Sequence, residues 1–243
     1  MSCGTGLREG TKNWPQLMAE ELGADYVNLA RTGWGNQWIF RDTVEELSRN
    51  QYDLVIVQWS AIGRVNLNIG FEAYQTTSRL TPDTDYNLVN HRTVRGAWLY
   101  DNILKNVEKV RNPFWDILDV GRYAGTIKRL HGNVWFVNGL CDWPAGFFTR
   151  HHDAKPDSLG AYTREILQVT ERDDDEIDRL YNFMHDQFSQ SEGFSDNWIN
   201  LYHSLHAMKV DDAAPDDLHP GPASQKLFAK LILAEISKLP VRA

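Results

Sequence analysis

Apolar runs separated by polar, glycine-containing loops are the main pattern along this chain. Residues 53–59 (Asp-Leu-Val-Ile-Val-Gln-Trp) and residues 133–139 (Asn-Val-Trp-Phe-Val-Asn-Gly) are nearly uniformly apolar and rich in β-branched and aromatic side chains. Runs of this kind are typical of strands that are covered on both faces in a parallel sheet. A shorter run at residues 26–30 (Tyr-Val-Asn-Leu-Ala) predicts another buried strand.

Helical spacing of apolar residues fills the segments between these runs. Helices that alternate with strands indicate right-handed crossovers and a parallel sheet. The predicted helices cover residues 14–22, ending at Gly23, residues 38–50, residues 98–107, Pro113 to Leu130, the segment from the acidic run at 173–176 to about Met208 with a break near Gly193, and the residues after Pro222. The pattern therefore predicts a single α/β domain over residues 1–243, organised as three α/β/α layers around a central parallel sheet.

Two stretches depart from this alternation and are predicted to be surface excursions. Residues 60–95 contain turn formers at Gly63, Gly70 and Pro82, and residues 144–172 are similarly rich in glycine and proline. Long excursions in compact domains are often functional. The excursion at residues 60–95 can cover a cleft.

Composition narrows the class of protein. The 243 residues include 42% hydrophobic residues and nine tryptophans, which is ample for a core. A net charge of −8 argues against a nucleic-acid surface, because phosphate binding needs clustered Lys and Arg. No apolar run is long enough to span a bilayer, and no basic N-terminal region precedes a hydrophobic stretch. We therefore expect a cytoplasmic protein without nucleic-acid or membrane partners. The oligomeric state is left open.

Cysteine and histidine usage gives no indication of a metal centre or disulfides. Cys3 and Cys141 are too few for a disulfide framework and lack the paired spacing of a zinc site. Adjacent side chains diverge at His151-His152, so a surface loop is the preferred interpretation there. We expect no metal and no cofactor. Cys141, at a strand end, is either a buried structural thiol or a nucleophile.

The loops that follow the predicted strands are the expected ligand-binding region. In open parallel sheets, ligands bind beyond the carboxyl ends of the strands. Those loops include residues 31–36, 60–64 and 140–143. Gly33 and Gly35 let backbone N–H groups approach a ligand, so they are candidate oxyanion donors or, alternatively, turn glycines only.

The segment Asp216-Asp217-Leu218-His219-Pro220 carries the clearest candidate chemistry. A carboxylate three residues before a histidine on a tight turn can orient one imidazole nitrogen and leave the other facing a cleft, as a general base requires. The following Pro220-Gly221-Pro222 places both side chains in the loop that enters the terminal helix. The alternative is an ordinary acidic turn before a helix.

Three segments, taken in order, resemble a known family. Ser2-Cys3-Gly4-Thr5-Gly6, Asn28-Leu29-Ala30-Arg31-Thr32-Gly33 and Asp216-Asp217-Leu218-His219-Pro220 are similar to sequence blocks of the SGNH (GDSL-type) hydrolases. The resemblance implies a flavodoxin-like α/β/α fold and a serine esterase acting on a small ester or acylated carbohydrate. It implies that Ser2 is the nucleophile, His219 the general base and Asp216 the residue that orients His219. The N–H groups of Ser2 and Gly33 would hold the oxyanion.

Two departures from the family pattern change what we expect. Only Met1 precedes Ser2, where the family has a strand, so we expect the natural protein to begin earlier with an apolar strand. The block Gly-x-Asn-Asp is replaced by Ser60-Ala61-Ile62-Gly63-Arg64. Losing one oxyanion donor typically lowers turnover about 100- to 1000-fold. Ser60 can donate from its hydroxyl, and Arg64 can bind an anionic substrate or pair with a carboxylate.

Three alternatives to the serine esterase remain open. The chain can be a weakened or inactive SGNH-like binding protein. It can also be a metal-dependent hydrolase with Asp216 and His219 as ligands, or an enzyme that uses Ser2 as an N-terminal nucleophile with its own amine as base. The missing Asn favours the first alternative.

Overall fold

A computed structural model describes residues 11–31, 34–60, 66–69, 72–75, 86–87, 93–94, 113–139, 179, 198, 204–206, 208–214 and 217–238. Within these residues the named helices are α1 (Trp14–Leu22), α2 (Asn36–Leu47), α3 (Pro113–Leu130) and α4 (Pro222–Ile236). The strands are β1 (Val55–Trp59), β2 (Asn66–Ile69), β3 (Glu72–Gln75), β4 (Tyr86–Asn87), β5 (Thr93–Val94), β6 (Val134–Asn138), β7 (Asp212–Ala214) and β8 (Asp217–Pro220).

A parallel pair of strands, β1 and β6, forms the centre of the described structure. Their register runs from Val55 opposite Val134 to Trp59 opposite Asn138. The Val55 N–H donates to the Asn133 carbonyl at 3.0 Å, and the Gly139 N–H donates to the Trp59 carbonyl at 3.0 Å. On the side away from β1, Phe136 of β6 forms an isolated parallel β-bridge with Trp198.

Helices cover both faces of this strand pair. On one face, α2 and α3 pack over a core that includes Val57, Trp59 and Phe136. On the other face, α1 and α4 pack over a second core that includes Trp14 and Val137. Alternation of side chains along each strand accounts for the two cores, because successive residues point to opposite faces.

Local signals define the ends of α1. The Asn13 side chain accepts a hydrogen bond from the Gln16 N–H at 3.0 Å and so caps the first turn. Pro15 lies in that turn, where a missing N–H costs no helical hydrogen bond. The helix ends at Gly23, whose φ of 62° is the left-handed conformation that glycine adopts without strain.

The remaining strands form antiparallel pairs. β2 pairs with β3 and β4 with β5, so the predicted excursion at 60–95 contains two short hairpins. β7 pairs with β8 just before α4. This last pairing shows that His219 lies in a short strand, and the prediction that it lies in a loop was wrong. The hydrogen bonds of the β7–β8 pair explain the difference.

The structure confirms a mixed α/β chain with parallel strands at the two long apolar runs. It also confirms the predicted helices at residues 14–22 and 113–130, together with the terminal helix, and places the second predicted helix at Asn36–Leu47. No helix among the described residues is both long and apolar enough to cross a bilayer. The predicted helix at 98–107, the excursion at 144–172 and the pairs Cys3/Cys141 and His151/His152 lie outside the described residues.

Two predicted elements were wrong. Residues 26–30 form no strand, and Tyr26, Val27 and Leu29 are 44%, 58% and 37% exposed. A strand needs a hydrogen-bonded neighbouring strand, and no β-bridge joins this segment to any of the described strands. The second error is the helix extended to Met208: Arg179 is helical, but Trp198 bridges to β6 and residues 204–206 are not helical.

Candidate functional site

The carboxyl ends of β1 and β6 meet at one edge of the sheet, because the strands are parallel. Ser60 follows β1 directly, and Asn138 is the last residue of β6. Both side chains are buried, and neither the Ser60 Oγ nor the Asn138 Oδ1 has a hydrogen-bond partner among the described residues. A buried polar atom without a partner costs about 1–3 kcal/mol. Two such atoms at one edge mark it as a candidate site.

Asn36, the first residue of α2, holds the backbone of Ser60 in place. Its Oδ1 accepts from the Ser60 N–H at 2.8 Å, and its Nδ2 donates to the Ser60 carbonyl at 3.3 Å. Asn36 is itself buried. The start of α2 and the end of β1 are therefore fixed to each other at the carboxyl edge of the sheet.

His206 is anchored at the same edge. The Leu205 N–H donates to the Asn138 carbonyl and the His206 N–H to the Gly139 carbonyl, both at 3.0 Å. These bonds bring residues 204–206 to the end of β6. The Nδ1 of His206 is buried and has no partner among the residues the structure describes.

The environment of His206 favours its neutral form. Burial lowers the pKa of His206, and the positive charges of Lys209 and His219 lower it further, while Asp212 acts in the opposite direction. His219 is therefore one of the groups whose charge acts on His206. Of these two histidines, His206 is the one that backbone hydrogen bonds hold at the carboxyl edge of the strand pair.

A chain of side-chain hydrogen bonds connects the strand that carries His219 to β1. The Gln225 Nε2 donates to the Pro220 carbonyl at 3.3 Å, and the Gln225 Oε1 accepts from the Trp14 N–H at 2.9 Å. The Trp14 indole N–H then donates to the Gln58 Oε1 at 3.2 Å. Gln225 is buried, so these bonds are shielded from water and restrict the position of β8.

Asp211 fixes the turn that precedes α4. Its carboxylate accepts hydrogen bonds from the N–H groups of Ala223 and Ser224 at 2.9 and 2.7 Å, and from the Ser224 hydroxyl at 2.5 Å. Burial by itself raises the pKa of Asp211, but these hydrogen bonds outweigh burial and hold it below its ordinary value. Asp211 therefore caps α4 from a distant position, since Gly221 at the N-cap has no side chain.

Of the predicted site residues, Ser60 and His219 are described. Ser60 lies at the carboxyl edge with its hydroxyl buried, and His219 lies in β8 and is half-buried. Ser2, Gly33, Arg64 and Asp216 lie outside the described residues, so their roles remain predictions.

Three residues of the site were not singled out by the sequence. The sequence pattern pointed only weakly to Asn36 and Asn138, because each belongs to a segment that was predicted to lie at the carboxyl edge of the sheet. His206 had none, since its position depends on backbone contacts with β6 that are remote in sequence. Within the described residues, no three His, Cys, Asp or Glu side chains lie close enough together to hold a metal ion.

Comparison of the chain with protein-family models, with curated proteins and with solved structures gave no match. The functional assignment therefore depends on the residues and on the geometry of this edge.

Proposed function

We propose that the chain is a serine-dependent esterase of the SGNH type, with three α/β/α layers around a parallel sheet, acting on a small ester or acylated carbohydrate. The observation that carries this proposal is the position of His219. Its strand is linked through Gln225 and Trp14 to β1, and its charge acts on His206, which is hydrogen-bonded to the end of β6. Ligands of parallel sheets bind at that edge.

In this proposal the reaction is acyl transfer through a covalent intermediate. The Ser2 Oγ attacks the ester carbonyl while His219 takes its proton, and Asp216 stabilises the resulting imidazolium. His219 then gives the proton to the leaving alcohol. Water, deprotonated by His219, attacks the acyl-enzyme and releases the carboxylic acid, which restores the Ser2 hydroxyl.

Oxyanion stabilisation is the weakest part of this site. Gly33 and Ser2 would contribute N–H groups. The Ser60 hydroxyl, directly after β1, has no hydrogen-bond partner among the described residues and would be a side-chain donor. Asn36 is not an obvious replacement for the missing amide donor, because its carboxamide binds both backbone groups of Ser60. The missing amide donor favours a slow enzyme. It also supports the second candidate, a non-catalytic SGNH-like binding protein. Arg64 would bind an anionic part of the substrate.

Hydrolysis of a short-chain chromogenic ester tests the proposal. We expect measurable turnover that falls at least about a thousandfold in Ser2→Ala and in His219→Ala, because removal of either group of the catalytic unit eliminates nucleophile activation. His131→Gln is the matched control, since His131 precedes β6 at the opposite end and contacts the Tyr52 carbonyl. Turnover that is abolished by a chelator and unaffected by Ser2→Ala would indicate metal-dependent hydrolysis instead.

A further inference from the structure

Two arginines stack on two tryptophans at the start of α2. The Arg31 guanidinium lies 4.6 Å from the centre of the Trp34 ring. The Arg41 guanidinium lies 3.5 Å from the centre of the Trp38 ring. Both tryptophans are buried, and their ring centres are 5.4 Å apart. Stacking of this kind holds a guanidinium by its face and leaves the N–H groups at its edge able to donate hydrogen bonds.

Within the described structure, the two guanidinium groups differ in their charge partners. The Arg41 Nε and Nη2 both donate to the Asp42 Oδ1, at 2.9 and 2.7 Å. Arg31 is exposed and forms no ion pair with any described residue. A guanidinium that is held in place without a carboxylate favours an anionic ligand, because its N–H donors form a fork that matches two oxygens of an anion.

Arg31 lies at the end of β1 that carries Ser60. A groove of about 520 Å³ beside β1 is lined by both residues, and Arg31 is the single Lys, Arg or His among its described lining residues. Trp34, on which Arg31 stacks, closely precedes Asn36, and Asn36 binds both backbone groups of Ser60. The buried Ser60 hydroxyl has no partner among the described residues. A cation and an unsatisfied hydroxyl therefore border the same groove.

The charge along this groove is asymmetric. Most of its acidic lining residues lie where α1 and α2 end and where β1 begins: Asp25, Glu46 and Asp53. The remaining one is the ion-pair partner of Arg41. The start of α2 adds partial positive charge at the other end, and its first turn contains no acidic residue. An anionic group is therefore attracted to the Ser60 end of the groove and repelled from the opposite end.

We propose that Arg31 is a specificity-determining residue, which selects esters that carry a second, anionic group. Its guanidinium donates to an oxyanion of the substrate, a carboxylate or a phosphate, while the ester carbonyl lies toward Ser60. The oxyanion belongs to either the acyl part or the alcohol part of the ester. This inference rests on the proposed esterase function.

Two matched chromogenic esters test the acyl part with the full chain. The nitrophenyl monoester of adipate and nitrophenyl hexanoate have acyl chains of equal length, and only the adipate carries a terminal carboxylate. Arg31→Gln should lower kcat/KM for the adipate ester about tenfold, mainly through KM, and leave the hexanoate ester unchanged. Arg31→Lys should retain part of the preference, because it keeps the charge and loses the fork.

A second pair of esters tests the alcohol part. Release of acetate from an acetylated sugar phosphate is compared with release from the same acetylated sugar without phosphate, in the same variants. Loss of a charge preference in Arg31→Gln for either pair of esters supports the proposal and assigns the anion to that part of the substrate. The absence of such a loss for both pairs would overturn it.

Arg41→Gln is the matched control. Arg41 also stacks on a tryptophan, but it already pairs with Asp42. Its replacement should leave the preference for charged esters unchanged. Equal effects of Arg31→Gln and Arg41→Gln, or an Arg31→Gln effect that is the same for charged and neutral esters, would show that Arg31 only covers Trp34.

Binding without hydrolysis separates this proposal from the esterase assignment. Adipate monoamide and hexanamide serve as inert analogues, and the Nε–H resonance of Arg31 reports contact with the anion. Only adipate monoamide should shift this resonance, and added salt should weaken its binding. A shift without ester turnover would support the anion site and contradict the esterase. Ester turnover with no shift and no charge preference would contradict the role of Arg31 alone.

Discussion

The side-chain amide of Asn36 forms the two hydrogen bonds with Ser60 that a neighbouring strand would otherwise form. It accepts from the Ser60 N–H at 2.8 Å and donates to the Ser60 carbonyl at 3.3 Å. The N–H and C=O groups of Ser60, directly after β1, point away from β6. Asn36 therefore closes this edge of the sheet at the level of the candidate site.

Asn36→Ala should lower the free energy of unfolding by about 1–3 kcal/mol, because it leaves two buried backbone groups unpaired. Asn36→Asp should also be destabilising, since a carboxylate can accept from the Ser60 N–H but repels its carbonyl oxygen. Urea denaturation measures both. The control is Asn50→Ala, which removes an exposed hydrogen bond to Glu46 and should cost less than about 0.5 kcal/mol. Equal losses at positions 36 and 50 would contradict this role for Asn36.

Asp211→Ala should destabilise the protein by about 0.5–2 kcal/mol, because the carboxylate caps the first turn of α4. Asp212→Ala is the neighbouring control: its exposed carboxylate only pairs with Lys209, and surface pairs contribute little. Thermal and urea denaturation give the comparison. A larger effect at Asp212 than at Asp211 would argue against distant capping.

Gly221→Ala should also be destabilising, for a steric reason. A Cβ there would lie 2.5 Å from the Asp211 Oδ2 and 2.5 Å from the Asp212 carbonyl oxygen, and the backbone cannot easily move. Gly132→Ala, where a Cβ meets no atom within 4 Å, is the control. Differential scanning calorimetry should show a lower melting temperature for Gly221→Ala alone.

Stability should depend on pH through His206. Its pKa is lowered in the folded protein, so the unfolded chain binds more protons over the range between the two pKa values. Neutral His206 contributes its full stabilisation above its ordinary pKa of about 6.5. This stabilisation is lost as the pH falls toward the lower pKa of His206 in the folded protein. After burial, the charges that lower this pKa include those of Lys209 and His219, and the charge of Asp212 raises it.

Denaturation midpoints at pH 7.5 and pH 5 test this expectation. His206→Gln should reduce the difference between the two midpoints, because the position no longer titrates. His131→Gln provides the comparison with a histidine at the other end of β6. An unchanged pH difference in His206→Gln would show that this histidine does not contribute to acid sensitivity.

The parts of the fold that were predicted correctly depend on local pattern. The apolar run that contains Val55–Trp59 specifies a doubly covered strand on its own, and Asn13 and Gly23 mark the ends of α1. The run at 26–30 has a similar pattern, but a strand also needs a paired neighbour, which sequence pattern does not supply. The positions of Asn36 and His206 depend on contacts with residues 24 and 67 positions away, so periodicity carried no information about them.

Covalent labelling at Ser2 tests the central claim most directly. The folded protein is treated with a serine-directed phosphonate and examined by intact mass and peptide mapping. We predict one adduct, on Ser2, that is absent in Ser2→Ala, strongly slowed in His219→Ala and unchanged in His131→Gln. A folded protein that gains no adduct, or gains one whose rate does not depend on His219, would contradict a serine hydrolase at this edge of the sheet.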